Sequence, residues 1–76
     1  MTPPAFVTRP ALLAFSRELR AARLRAGMSK QKLADRVGMS RYGLVKIERG
    51  GNVKLDTIVL LAHALGCHIS DFFPRK

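Results

Sequence analysis

The sequence predicts an all-α fold in which five short helices form one compact domain. Apolar residues recur at spacings of three and four along most of the chain, which is the period of an amphipathic helix and not of a strand. Glycines at positions 27, 38, 50 and 66 interrupt this pattern, as helix-ending residues do. With 76 residues the chain has the size of a single domain, and no repeat or low-complexity segment divides it.

The first predicted helix covers Ala11–Ala26 and follows an N-terminal arm, residues 1–10. Three prolines predict that the arm is extended, and the last of them, Pro10, suits the position that opens a helix. An apolar stripe at helical spacing follows, formed by Leu12, Phe15, Leu19, Ala22 and Ala26. Gly27 ends this helix, and the folded domain is therefore predicted to span residues 11–76.

Two helices separated by only three residues come next. Ser29 is a suitable N-cap for a helix that reaches Val37 and stops at Gly38. Ser40 is a suitable N-cap for a third helix over Arg41–Arg49, which a pair of glycines ends. Two short helices joined by a glycine-led turn cross steeply, so that the second can enter the major groove of DNA.

The remainder of the chain predicts two further helical segments. A fourth helix is expected over Leu55–Leu65, with Asp56 in its first turn and Gly66 as its stop. One short turn, Ile69–Phe73, is expected before Pro74. At least one of the two phenylalanines in that turn should lie in the core.

The charge of the chain is strongly basic and unevenly distributed. Fourteen Lys and Arg against five Asp and Glu give a formal net charge of +9. Ten of the fourteen basic residues lie between Arg17 and Arg49. Such a cluster indicates a nucleic acid or an anionic membrane surface as partner. No apolar run reaches the ~18 residues of a membrane span, and the N-terminus lacks the apolar segment of a secretory signal.

The third helix separates a packing face from a basic face. At 100° per residue, Leu44 and Ile47 point to one side. The opposite side, over roughly 140°, holds a basic set with one aromatic and one aliphatic member: Arg41, Tyr42, Val45, Lys46 and Arg49. This pattern favours double-stranded DNA as the partner.

A set of residues over positions 19–73 matches a known pattern. Its members are Leu19, Arg23, Gly27, Ser29, Leu33-Ala34, Gly38, Ser40, Leu44, Ile47-Glu48-Arg49-Gly50, Leu55, Thr57-Ile58, Ala64-Leu65-Gly66 and Phe72. With these residues the chain resembles the phage repressor and Cro-like helix-turn-helix family, also called the xenobiotic-response-element type. The resemblance implies a five-helix, lambda-repressor-like domain in which helices two and three form the helix-turn-helix.

The resemblance also implies roles for individual residues. Base-reading positions correspond to Arg41, Tyr42, Val45 and Lys46, with guanine matching Arg41 and Lys46 and a thymine methyl matching Val45. Contacts with the DNA backbone are expected from Ser29, Lys30, Ser40, Gly43, Arg49 and Lys54. Arg23 and Glu48 would form a structural ion pair between the first and third helices.

The chain departs from the family pattern at three places. Lys30 replaces the usual Gln, and Lys32 stands where the Glu of a capping box is expected. Such lysines oppose the helix dipole by about 0.3–1 kcal/mol each, which fits either simple solvent exposure or a bound DNA phosphate. Val53-Lys54 replaces the usual Pro-Ser, so the start of the fourth helix is left open. Gly43 destabilises a helix by roughly 1 kcal/mol relative to Ala. Two interpretations are open: the glycine allows the backbone to approach DNA closely, or it is a tolerated substitution without a role.

Metal, cofactor and enzyme functions are not expected. His63, Cys67 and His68 are too few to form a structural zinc site, and no nucleophile, base and orienting group are arranged together. A single cysteine excludes an internal disulfide and fits a reducing compartment. With the family resemblance, a cytoplasmic and nucleoid-associated location is expected, for a protein of bacterial or phage origin.

The expected function is that of a sequence-specific transcriptional regulator, acting as a homodimer on a near-palindromic operator. Small size favours a dimer, and the predicted interface consists of Val59, Leu60, Phe72 and Phe73. The alternative is an antitoxin that binds its toxin and autoregulates through the same domain, because the run 53–57 is similar to antitoxin members of the family. Restriction-modification controller proteins are a third form of the first function.

Overall fold

The structure, a computed structural model, describes residues 5–74 of the chain, with side chains from residue 8 onward. Four α-helices and one short 3₁₀ helix follow one another in the order α1 Ala5–Arg25, α2 Lys30–Val37, α3 Arg41–Glu48, α4 Leu55–Leu65 and 3₁₀ Ile69–Phe72. Residues 5–74 contain no strand, which confirms the all-α class. The short turn expected over Ile69–Phe73 is the 3₁₀ helix Ile69–Phe72, so the five helical segments comprise four α-helices and one tighter turn of four residues.

The start of α1 corrects the expected arm. The helix begins at Ala5, and Pro10 lies inside it. A proline has a helical φ, but it removes the hydrogen bond to the Phe6 carbonyl and its ring crowds that carbonyl. Pro10 lies only in the second turn of α1, so the hydrogen bonds of the following residues are unaffected and the helix continues through it. Residues 5–10 are therefore not extended, whereas the arm expected for residues 1–4 lies outside the described part of the chain.

The four α-helices end in the same way, at the glycines that the sequence marks. In α2 the N–H of Gly38 donates to the Asp35 carbonyl and the N–H of Met39 donates to the Ala34 carbonyl. This is a Schellman motif, and it requires the left-handed backbone (φ 72°) that Gly38 adopts without a steric penalty. The glycine pattern therefore set the helix ends within about one residue.

The core lies where α1, α2, α3 and α4 meet. Its buried apolar members are Phe15, Leu19, Ala22, Leu33, Ala34, Leu44, Ile47, Ile58, Leu61, Ala62 and Phe72. The Phe15 ring packs edge-on against Phe72 at a centroid distance of 5.3 Å. Of the predicted α1 stripe, Leu12 is half-buried, and Ala26 is exposed because the helix ends before it. The core fixes α3 with its opposite face outward.

Candidate nucleic-acid interface

The entry to each of the two central helices is capped by a serine. The Ser29 hydroxyl oxygen accepts a hydrogen bond from the Lys32 N–H at 3.0 Å, and the Ser40 hydroxyl oxygen accepts one from the Gly43 N–H at 3.0 Å. These two predicted backbone-contacting serines therefore have a structural task first. Both serines are exposed.

Arg23 links α1, the loop before α2, and α3. Its Nε and Nη2 donate to the two carboxylate oxygens of Glu48, at 2.7 and 3.2 Å. Its Nη1 donates to the Met28 carbonyl oxygen at 2.9 Å. Only 7% and 5% of the Arg23 and Glu48 side chains are exposed, so this charge-assisted pair is shielded from solvent. The structure thus contains the ion pair that the resemblance implied, and adds a Met28 contact that no pattern in the sequence indicates.

The outward face of α3, which we call the recognition face, consists of Arg41, Tyr42, Val45, Lys46 and Arg49. Leu44 and Ile47 on the opposite side are buried. Tyr42 is 76% exposed, and the three basic side chains are also exposed, whereas Val45 is half-buried. The structure therefore brings the four predicted base-reading residues onto one surface, with Arg49 as the C-cap at its end.

The remaining predicted backbone contacts border this surface. Lys30 is half-buried in the first turn of α2, which contains no acidic residue. Lys54 is exposed and is itself the N-cap of α4, without a side-chain capping hydrogen bond. A lysine ammonium group cannot accept a hydrogen bond, which explains why this helix begins without a side-chain cap.

Gly43 has a packing role that sequence reasoning missed. A Cβ atom at this position would lie 3.3 Å from the Met39 Cε and 3.3 Å from the Ser40 Oγ. The missing side chain therefore leaves room for neighbours in the turn. The Gly43 N–H is already used by the Ser40 cap, so it is not a free donor for a phosphate.

Gly51, which packs against the backbone of Lys46, is a second residue whose structural role sequence reasoning missed. Its N–H donates to the Lys46 carbonyl oxygen at 2.9 Å. A Cβ at Gly51 would lie 2.7 Å from that oxygen, so any side chain there would displace the end of α3. The sequence signals only a helix stop at the Gly-Gly pair, not this close approach.

The predicted dimer interface does not remain complete in the structure. Val59, Leu60 and Phe73 are 51%, 50% and 49% exposed, but Phe72 is 1% exposed and belongs to the core. Phe72 is excluded as an interface residue because the Phe15 ring and the rest of the core cover it. The expectation that at least one of the two phenylalanines is core is met by Phe72.

Cys67 and its neighbours do not assemble a ligand set. Burial raises the pKa of the Cys67 thiol, the Asp71 carboxylate raises it further, and Arg25 opposes both. A raised pKa keeps the sulfur protonated and weakly nucleophilic near neutral pH. Among residues 5–74 no three His, Cys, Asp or Glu side chains are placed to hold a metal ion, and no helix there is long and apolar enough to span a membrane.

Comparison with known families agrees with this geometry. A family model described as helix-turn-helix matches residues 19–72. The chain belongs to the Cro/C1-type helix-turn-helix family. The resemblance to phage repressors and Cro is therefore confirmed, and with it the class of DNA-binding transcription regulators. The match begins at Leu19, so the earlier part of α1 lies outside it.

Solved structures of transcription regulators share this Cro/C1-type fold. The restriction-modification controller protein C.AhdI from Aeromonas hydrophila is 36% identical, with 82% of this chain and 96% of that chain covered and a TM-score of 0.78. The clp gene regulator ClgR from C. glutamicum is 28% identical, with 82% of each chain covered and a TM-score of 0.78. The hypothetical transcription factor NHTF from Neisseria is 25% identical, with 97% and 83% covered and a TM-score of 0.78. Comparison with curated proteins finds no match.

Proposed function

We propose that this Cro/C1-type protein is a sequence-specific transcriptional regulator that binds a near-palindromic operator as a homodimer. The observation that carries the proposal is the recognition face of α3. It combines exposed cationic side chains with an aromatic and an aliphatic one on a helix whose opposite side is buried. A helix of this kind fits a DNA major groove and can contact base edges there.

Each base-reading residue has a chemical preference. Arg41 and Lys46 are exposed donors, and guanine O6 and N7 are the acceptors that best suit them, at about 1–3 kcal/mol of discrimination each. Val45 lies between them on the recognition face and offers methyl groups to a thymine methyl. Tyr42 stands far enough out of the surface to pack on a sugar or donate to a phosphate.

Backbone contacts then set the position of α3 on the duplex. Lys30 lies at the positive end of α2, where the helix dipole and the ammonium group both favour a phosphate. Arg49 and Lys54 lie at the two ends of the α3–α4 loop and extend the basic surface. Such contacts supply affinity that is independent of sequence and that falls as salt concentration rises.

The homodimer is proposed on the exposed apolar residues of α4. Val59 and Leu60 are half-exposed neighbours, and Phe73 lies beyond the end of α4 with a similar exposure. Burying such side chains in a symmetric interface would add apolar contact to a small core. Two recognition helices would then lie about one DNA turn, ~34 Å, apart and meet a pseudo-palindrome.

The proposed activity is binding without catalysis or a cofactor. The protein would act by occupying a promoter, which would place it on the nucleoid in the cytoplasm. Selection of bound sequences from a random duplex library tests this function, because it gives half-site, spacing and symmetry together. Recovery of no enriched sequence would contradict specific readout, and co-purification of a second chain would instead favour the antitoxin alternative.

Substitutions separate base reading from backbone binding. Arg41→Ala or Lys46→Ala should relax base preference at one operator position each, at a cost of about 1–3 kcal/mol on the selected sequence. Lys30→Ala should weaken binding to all duplexes and reduce the salt slope by about 1. Fluorescence titration on operator and random duplex at several salt concentrations measures both. If Arg41→Ala reduced the affinity for operator and for random duplex equally, Arg41 would not be a base-reading residue.

A further inference from the structure

The part of α1 before Leu19 packs along the end of the recognition helix. A Cβ atom at Gly50 would lie 2.8 Å from the Leu13 Cδ2, so Leu13 lies directly against the residue that follows α3 and its C-cap. Ten residues further along α1, Arg23 pairs with Glu48 near the end of α3. These two contacts, about 15 Å apart along the helix axis, show which side of α1 faces α3 and the α3–α4 loop.

Two arginines lie between Leu13 and Arg23 around α1, in the sector bounded by these two contacts with the end of α3. Arg9 precedes Leu13 by four residues and Arg20 follows it by seven, so that all three lie within about 40° of one another around the helix. Both arginines are exposed. Among the described side chains, neither guanidinium group is within ion-pair distance of a carboxylate. We call this pair the α1 basic edge.

The other exposed arginines of α1 have different surroundings. Arg17 and Glu18 line a groove between α1 and the 3₁₀ helix, together with Phe73. Arg25 lies near enough to Cys67 to affect its thiol, as does Asp71. These two arginines therefore lie toward the C-terminal segment of the fold.

We propose that the α1 basic edge binds DNA phosphates and extends the interface beyond the recognition face. The inference rests on the proposed DNA-binding function and adds to it a contact from α1, of which Arg9 lies outside the matched residues 19–72. Arg9 and Arg20 are about 16 Å apart along the helix, a length over which one DNA strand presents several phosphates at 3.4 Å of axis each. A guanidinium group can bind two phosphate oxygens through two parallel hydrogen bonds. Such binding does not require apolar residues beside the arginine.

The position of Arg49 supports a phosphate rather than an acidic protein as the occupant. Arg49 is the exposed C-cap of α3, immediately before the glycine that Leu13 contacts. The α1 basic edge is thus continuous with the recognition face. A duplex held by α3 therefore carries one of its strands past Arg49 toward Arg9 and Arg20.

A pair of charge-matched double variants tests the proposal. Arg9→Gln/Arg20→Gln removes the α1 basic edge, and Arg17→Gln/Arg25→Gln removes the same charge from positions that lie about 40° and 120° beyond Leu13 around the helix, in the direction away from Arg23. The probes are the duplex selected from the library and a random duplex, titrated between about 50 and 200 mM salt. Thermal unfolding of each variant accompanies the titrations as a check of folding.

The expected result is a salt slope that is shallower by about 1.8 for Arg9→Gln/Arg20→Gln, with a loss of affinity of tenfold or more on both duplexes and an unchanged base preference. The matched control should lose less, because Arg17 and Arg25 are turned toward the C-terminal segment and away from the sector of α1 that contacts the end of α3. Each single variant, Arg9→Gln or Arg20→Gln, should reduce the slope by about 0.9.

Equal slopes for the two double variants overturn the α1 basic edge while leaving DNA binding by α3 intact. A wild-type protein whose affinity for duplex does not depend on salt overturns the proposed function itself. The two failures are therefore distinguishable in one set of titrations.

Discussion

At the scale of the residue, the ion pair between Arg23 and Glu48 fixes the recognition helix α3 against α1. The pair is bidentate and almost fully shielded from solvent, and Arg23 also bonds the Met28 carbonyl. A shielded pair of this kind is costly to break, because removing one partner leaves the other as an uncompensated buried charge. The contact is thus a constraint on orientation more than a source of net stability.

Glu48→Gln should therefore lower the free energy of unfolding by about 3 kcal/mol, since the Arg23 guanidinium loses its counter-charge. Urea denaturation of wild type and variant measures the loss. The double variant Arg23→Met/Glu48→Leu replaces both charges with apolar groups and should be less destabilised than Glu48→Gln alone. A double variant at least as unstable as the single one would contradict this account of the pair.

At the scale of the element, α4 lacks the side-chain cap with which α2 and α3 begin. Ser29 and Ser40 cap α2 and α3 through their hydroxyl oxygens, but Lys54 occupies the N-cap of α4 without a side-chain cap. Its backbone has the extended conformation (φ −80°, ψ 151°) of an N-cap residue, so the position lacks only an acceptor. Lys54 therefore provides no side-chain cap for α4 but places a positive charge beside the α3–α4 loop.

Lys54→Ser should stabilise the domain by about 1 kcal/mol, because the serine oxygen can accept from an N–H of the first turn. The matched control Lys54→Gln removes the same charge without adding a good cap and should leave stability nearly unchanged. Both variants should reduce the salt slope of DNA binding by about 0.9 if Lys54 contacts a phosphate. Equal melting temperatures for the two variants would show that capping does not limit α4.

At the scale of the whole molecule, a small core is combined with an exposed apolar surface and a high positive charge. Among residues 8–74 eleven apolar residues are buried as the core, and the whole chain carries a formal net charge of +9. A domain of this size gains stability readily from association. The repulsion between the basic residues of two copies opposes association unless the interface lies away from them. The exposed residues of α4 meet this condition, because Leu55–Leu65 contains no Lys or Arg.

Val59→Glu/Leu60→Glu should convert the proposed dimer to a monomer, because it places carboxylates in the apolar contact. Sedimentation velocity at micromolar concentration measures the change in mass. Leu24→Glu is the matched control, since Leu24 is 58% exposed on α1 and lies outside the proposed interface. A wild-type protein that sediments as a monomer at these concentrations would contradict the dimer.

Much of the fold could be read from local patterns. Ser29 and Ser40 as caps, and Gly38 and Gly66 as helix ends, depend on hydrogen bonds between residues at most five apart, and such signals are complete within a short segment. The separation of Leu44 from the recognition face follows from helical periodicity in the same way. The identity of the family rests on the same local set of residues.

What the sequence by itself determined was the all-α class, the capped helix-turn-helix, and the basic face of α3. Only the tertiary structure decided that α1 passes through Pro10, that Phe72 is core while Phe73 is half-exposed, and that Leu13 contacts Gly50. The burial of Phe72 and the position of Leu13 depend on contacts between residues distant in the chain, where burial and steric fit outweigh the preference of any single residue. The contacts of Leu13 and Arg23 turn the sector of α1 that carries Arg9 and Arg20 toward the end of α3.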